Sequence, residues 1–226
     1  MVTKEQQILE ALKECYFSML TCDNYDENII NYMDSKVLEE CNSGASKVVL
    51  IPTDTDTDFV VKIPFSHDAE YLCNHEDDED FDPNNALFKG ADEPNGWDYC
   101  KAETIYYEHA VEEGLEFAFL KTELIGYSDD FHPIYIQKKA EMLETREASH
   151  KKDWTECQSA SNFCTSNHLE CLSGYWVADF LDCYGEEAYK KLHDFLSDFH
   201  IWDMHSGNLG YYNDKPVIVD YGGYYE

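Results

Sequence analysis

The sequence predicts an α+β protein with a β-rich N-terminal half and a helical C-terminal half. Two observations carry this. Short apolar runs at Val48–Ile51, Phe59–Ile63, Phe119–Tyr127 and Pro133–Lys138 are separated by polar turns, the pattern of strands. Tyr175–Cys183 and Glu186–Phe199 instead carry helical spacing on either side of Gly185. A further helix is expected at Lys4–Cys22, where Ile8, Leu9, Leu12, Cys15, Tyr16, Met19 and Leu20 form one apolar stripe. Another is expected at Lys101–Glu113, ended by Gly114. Residues 66–100 are acidic and turn-rich, with Glu76-Asp77-Asp78-Glu79-Asp80 at their densest, and read as a surface insertion. Residues 141–173 carry no clear period. Pro216–Val219 closes the chain with an apolar strand.

Composition limits the function. Of 226 residues, 43% are hydrophobic and 15% aromatic, enough for a sizeable core. The 47 acidic residues outnumber the 16 basic ones, for a formal net charge of −31. That sign excludes nucleic-acid binding through a basic face, and it disfavours an anionic membrane surface. No apolar run reaches the length of a membrane span, and the start Met1-Val2-Thr3-Lys4 has no secretory pattern, so a cytoplasmic protein is expected. The nine cysteines are scattered without a CxxC pair and read as free thiols. Cys157, Cys164 and Cys171 recur every seven residues with His168 among them, a spacing unlike ordinary zinc ligands.

The strongest chemical signal follows the last helix. In His200-Ile201-Trp202-Asp203-Met204-His205-Ser206-Gly207-Asn208 a carboxylate precedes an amide by five residues, and Asp220-Tyr221-Gly222 follows a short apolar strand. Asp203 suits a group that takes a proton from an attacking hydroxyl. Asn208 and Asp220 offer the hard oxygens that magnesium prefers.

These residues resemble the protein kinase-like superfamily. Asp203-Met204-His205-Ser206-Gly207-Asn208 is similar to the D-L-H-x-G-N loop of aminoglycoside and choline phosphotransferases, and Asp220-Tyr221-Gly222 to the family's D-F-G element. Phe59-Val60-Val61-Lys62-Ile63 resembles the V-A-I-K strand, and Ser43-Gly44-Ala45-Ser46-Lys47-Val48 a reduced glycine-rich loop. The chain is also similar to short kinase-like proteins of bacteriophages and prophages, which implies the cytoplasm of a host cell. Ile201 stands where the family has a histidine, and Gly44 is the one glycine kept in the loop.

The resemblance implies a kinase-like two-lobe fold with a reduced C-lobe. Residues 1–34 would be an N-terminal helical extension, 35–138 a lobe of five strands and one helix carrying the 66–100 insertion, and 139–226 the reduced helical lobe. The chain stops four residues after Gly222, which implies no activation segment. ATP and Mg2+ are the implied cofactors, in a cleft between lobes. Lys62 would hold phosphates and Glu103 would orient it, with Glu108 on the same helix as the alternative. Gly44 and Ser46 would line the phosphate loop, and backbone groups around Gln137 and Lys139 would take the adenine. Asp203 would act on the acceptor, and Asn208 and Asp220 would bind the metal. The implied activity is phosphotransfer to an unidentified acceptor. The alternative is an inactive kinase-fold protein that binds a partner with a basic surface through its acidic exterior.

Overall fold

A computed structural model describes residues 2–15, 17, 38–43, 46–54, 56–65, 98–149, 153–201 and 203–222. The chain divides into two units, Met1–Thr104 with Thr122–Lys138, and Ile105–Lys121 with Lys139–Glu226. Elements are numbered in chain order. The first unit holds α1 (Lys4–Leu12), β1 (Leu38–Ser43), β2 (Lys47–Pro52), β3 (Phe59–Pro64), the start of α2 (Tyr99–Glu112), β4 (Thr122–Tyr127) and β5 (Pro133–Lys138). Among the described residues its strands form one antiparallel sheet in the order β1-β2-β3-β5-β4.

Register separates the faces of this sheet. Directly opposed residues share a face, and neighbours along a strand alternate. The pairs Val48↔Ile63, Leu50↔Val61 and Val61↔Ile136 place one apolar set together. These side chains are buried with Ile8 and Leu12 of α1 and with Phe59, Ile134, Cys15 and Phe17 in one core. The pairs Val49↔Lys62, Tyr135↔Lys62 and Thr122↔Gln137 lie on the opposite face, which also takes Lys47 by alternation from Val49. Residues 4–12 are therefore part of the first unit's core.

The N-terminal helix starts on a capping box, in which the Thr3 hydroxyl accepts from Gln6 N–H and the Gln6 side chain accepts from Thr3 N–H. It ends at Leu12, earlier than the apolar stripe predicts. The Lys13 carbonyl accepts instead from the Asp129 N–H at 2.7 Å, so the helical ladder cannot continue through it. Residues 18–22 of the expected helix lie outside the described residues, as do Gly44 and 66–97, including the acidic run 76–80.

The expected helix 101–113 begins two residues earlier, because Asp98 caps it. The Asp98 carboxylate accepts from the Lys101 N–H at 2.9 Å, and its carbonyl from the Ala102 N–H at 3.0 Å. At the other end Leu115 N–H reaches Ala110 C=O and Gly114 N–H reaches Val111 C=O, a helix stop that needs the φ of +67° at Gly114.

The expected strand Phe119–Tyr127 is split. Its residues 119–121 belong to the second unit, where Phe119 bridges Ile218 and packs on Phe195 and Tyr221 at 5.4 and 4.9 Å. Only from Thr122 does the chain join β5 as β4. The aromatic burial of Phe119 outweighs its strand preference.

The second unit contains β6 (Glu141–Met142), α3 (Leu143–Ser149), α4 (Trp154–Ser166), α5 (Gly174–Tyr184), α6 (Glu186–Asp198), β7 (Leu209–Tyr212) and β8 (Lys215–Ile218). The segment 141–173, without period in the sequence, thus holds one short strand and two helices. Among the described residues β6, β7 and β8 form a three-stranded antiparallel sheet. Trp176 of α5 is fully buried, stacks on Phe180 and donates its indole N–H to Gly210 C=O at 3.2 Å. That bond ties the helices to the sheet that carries the candidate loop. No helix of the described residues is long and apolar enough to cross a membrane.

Candidate functional site

In the first unit, Lys62 and Glu103 meet on the polar face of the sheet. The Lys62 ammonium donates to Glu103 Oε2 at 2.8 Å and Oε1 at 3.1 Å. Both residues are buried. Glu108 is exposed on the same helix, so the geometry selects Glu103. Further groups converge on this carboxylate. The Thr122 hydroxyl donates to Oε2, and Gln137 Nε2 donates to Thr122 Oγ1 at 3.0 Å. The Lys47 ammonium lies 3.2 Å from Oε1. Sequence reasoning placed Lys47 in the loop motif without giving it a role. The missed signal was the alternation Lys47, Val49 against Lys62, which puts both lysines on one face.

Other expected positions stand differently. Ser46 is half-buried, its carbonyl accepts from Phe65 N–H, and its hydroxyl lies 3.4 Å from the Lys47 ammonium. Gln137 was expected to offer backbone groups to an adenine. It lies instead within β5, flanked by β3 and β4, opposite Val60 on one side and Thr122 on the other. Its backbone is part of the sheet ladder and its side chain is bonded to Thr122. Lys139 lies past the strand end and is exposed.

In the second unit, Ser206–Asn208 forms a single 3-10 turn capped by His205, whose Nδ1 accepts from the Gly207 N–H at 3.0 Å. A side chain at 207 would collide with that ring, since an added Cβ would lie 2.8 Å from His205 Cε1. The H-x-G spacing thus has a local cause. With Nδ1 accepting, the neutral ring carries its proton on Nε2, which faces Asp203 Oδ1 at 3.7 Å. The Ser206 hydroxyl donates to Glu144 Oε1 at 2.9 Å and holds the turn to α3.

Asn208 is buried, and its amide donates to the Asp203 carbonyl at 2.5 Å, with the Asp203 carboxylate 3.5 Å from the same nitrogen. The Asn208 carbonyl accepts from the N–H of Val219 at 2.9 Å and of Asp220 at 3.5 Å. One residue therefore fixes the backbone at Asp203 and at Asp220. Past Asp220 the buried Tyr221 donates its hydroxyl to Leu120 C=O at 2.8 Å. Asp220 is held from both sides.

Because the Asn208 amide nitrogen is engaged, its Oδ1 is the oxygen available to a cation. It and the Asp220 carboxylate are hard oxygens of the kind magnesium takes alongside several waters. Among the described residues no group of three or more His, Cys, Asp or Glu is arranged to hold a metal, and this covers Cys157, Cys164, Cys171 and His168.

The cysteines interact in another way. Interaction with Cys164 lowers the Cys171 thiol to about 6, and the same interaction raises that of Cys164. Ser161 Oγ, 3.8 Å from Cys171 Sγ, adds to the lowering. A lowered thiol is ionised to lower pH, so Cys171 should react with iodoacetamide with a midpoint near pH 6, against about 8.5 for a free cysteine. Peptide mapping of the labelled protein across pH checks this. Cys164→Ala should move the midpoint upward, and a wild-type midpoint above about 8 would contradict the contact.

No protein-family model matches the chain, and a search of curated proteins finds no match to it.

Proposed function

We propose that this protein is an ATP- and magnesium-dependent phosphotransferase with a kinase-like fold. The observation that carries the reading is the buried Lys62–Glu103 pair, formed by the third strand of a five-stranded antiparallel sheet and by helix α2. A buried ammonium held by a carboxylate from another element is oriented, and it can address a phosphate without first being ordered. The Asn208 bonds that position Asp203 and Asp220 support the same reading.

In this reading Lys62 binds nucleotide phosphates and Glu103 keeps Lys62 directed. Asp203 accepts the proton of the acceptor hydroxyl. His205 keeps the turn closed and presents its Nε2–H towards Asp203. Asn208 and Asp220 would hold magnesium, which supplies positive charge to the phosphates. Such help is needed, because the chain itself carries a net charge of −31.

Calorimetric titration tests the reading. ATP should bind with magnesium and bind at least about 10-fold more weakly with excess chelator, since carboxylate and phosphate repel without a cation between them. Equal affinity in both conditions would remove the metal site. A second reading is favoured by the same charge, namely a kinase-fold protein that binds a partner with a basic surface. It predicts nucleotide binding without turnover, and partner capture that weakens steeply with salt.

A further inference from the structure

We propose that Cys164 and Cys171 form a peroxide-reactive dithiol, in which Cys171 is oxidised first and Cys164 then closes a disulfide with it. The site lies within the second unit and does not depend on the nucleotide-site reading.

The backbone brings the two thiols together. Helix α4 ends at Ser166, and the chain turns back through His168, whose φ is +58°. Leu169 N–H then donates to the Cys164 carbonyl at 2.9 Å, so the returning segment starts against the last turn of the helix. Further on, the buried Tyr189 of α6 holds the backbone on both sides of Cys171. Its hydroxyl donates to Glu170 C=O at 2.8 Å and accepts from Leu172 N–H at 3.5 Å. The Cys171 sulfur thereby rests on α4, 3.8 Å from Ser161 Oγ. Cys164 stands three residues after Ser161, the next position on the same side of the helix. The opposite shifts of the two thiols agree with this placement.

Access separates the roles. Cys164 is buried and Cys171 is half-buried, so an oxidant from solvent meets Cys171. Packing alone uses a cysteine as a small hydrophobe, for which ionisation is a cost. Among the described residues these cysteines join no group of three or more His, Cys, Asp or Glu that could hold a metal.

The chemistry needs only hydrogen peroxide. The Cys171 thiolate attacks one peroxide oxygen. An S–O bond forms, the O–O bond breaks, and hydroxide leaves and becomes water by taking the proton that the thiol had released. Cys171 is then a sulfenic acid. The Cys164 sulfur attacks the Cys171 sulfur. The S–S bond forms, the S–O bond breaks, and the leaving hydroxide takes the Cys164 proton as a second water. The two thiols lose two electrons and the peroxide gains them. The bridge ties the segment before α5 to the last turn of α4, and a thiol reductant reverses it by exchange.

The test treats the full chain with a small excess of hydrogen peroxide, blocks remaining thiols with N-ethylmaleimide and digests the unreduced protein with chymotrypsin. Cleavage after Phe163, Leu169 and Leu172 puts the two cysteines on separate peptides. The bridge between Cys164 and Cys171 should exceed any other pair by about 10-fold, because fixed neighbours react intramolecularly. In protein unfolded by urea that excess should vanish. Cys164→Ser, treated at about pH 8.5 so that Cys171 is ionised, should leave a sulfenic acid at Cys171 that dimedone traps and that wild type does not accumulate. Cys171→Ser should leave Cys164 unmodified. The same excess in urea overturns the proposal, since nearness in sequence then explains the bridge. So does oxidation confined to other cysteines, or a dimedone adduct on Cys164 in place of Cys171. If either variant fails to fold, the native and urea maps of wild type decide.

Discussion

Glu103→Ala should lower unfolding free energy by about 3–5 kcal/mol, the range for breaking a buried ion pair by removing one partner. Glu103 is fully buried and takes contacts from Lys47, Lys62 and Thr122. Alanine removes a buried carboxylate to which both ammonium groups are paired. The Thr122 hydroxyl loses its acceptor, and the Gln137 amide behind it loses the ordered hydroxyl. Urea melts of the two proteins give the difference. Removing all three charges together should recover most of the loss, so Lys47→Met with Lys62→Met and Glu103→Leu should melt nearer to wild type. A Glu103→Ala cost below about 1 kcal/mol would place the pair in the range of a solvent-exposed one.

Asp220→Asn should lower phosphotransfer by about 100-fold or more while leaving the melting curve in place. The substitution keeps the side-chain shape and removes its charge. The backbone bond from Asp220 N–H to Asn208 C=O does not depend on the side chain, and neither does the Tyr221 bond to Leu120. The variant therefore separates chemistry from fold. ATP turnover, measured after an acceptor has been found for wild type, is the readout. Turnover equal to wild type would remove Asp220 from the machinery. A wild type that binds ATP and transfers nothing would move the weight to the binding reading.

Legibility followed the range of the interactions. The strands β2, β3 and β5 and the last two helices were readable because their apolar periods reflect burial directly. The strand lysine and helix glutamate could be paired from motif order, but the choice between Glu103 and Glu108 depended on which helix face the sheet covers. Lys47 needed the register, a relation between strands that no local window contains. The hairpin of β7 and β8 left a signal that was passed over. Asn213-Asp214 sits between two apolar runs, and both residues have positive φ, 52° and 60°, as a two-residue turn of this kind requires. Helix α1 ended early because Asp129, more than a hundred residues away, claims the Lys13 carbonyl. The Phe119 break is likewise tertiary, set by partners at Phe195 and Tyr221.

The two faces of the five-stranded sheet also bear on how the chain avoids mispairing during folding. Sliding β3 by one residue against its neighbours would invert it. Lys62 would be driven among Val48, Leu50 and Ile136, and Val61 or Ile63 would be set against Glu103. An apolar-on-both-sides strand could tolerate such a slip at small cost, whereas this one would strand an ammonium in hydrocarbon and a carboxylate against a methyl group. The charged trio therefore acts as an alignment key. Variants that replace it with apolar residues should fold to a sheet of similar stability but refold with more kinetic heterogeneity, as strands sample pairings that the charges now forbid.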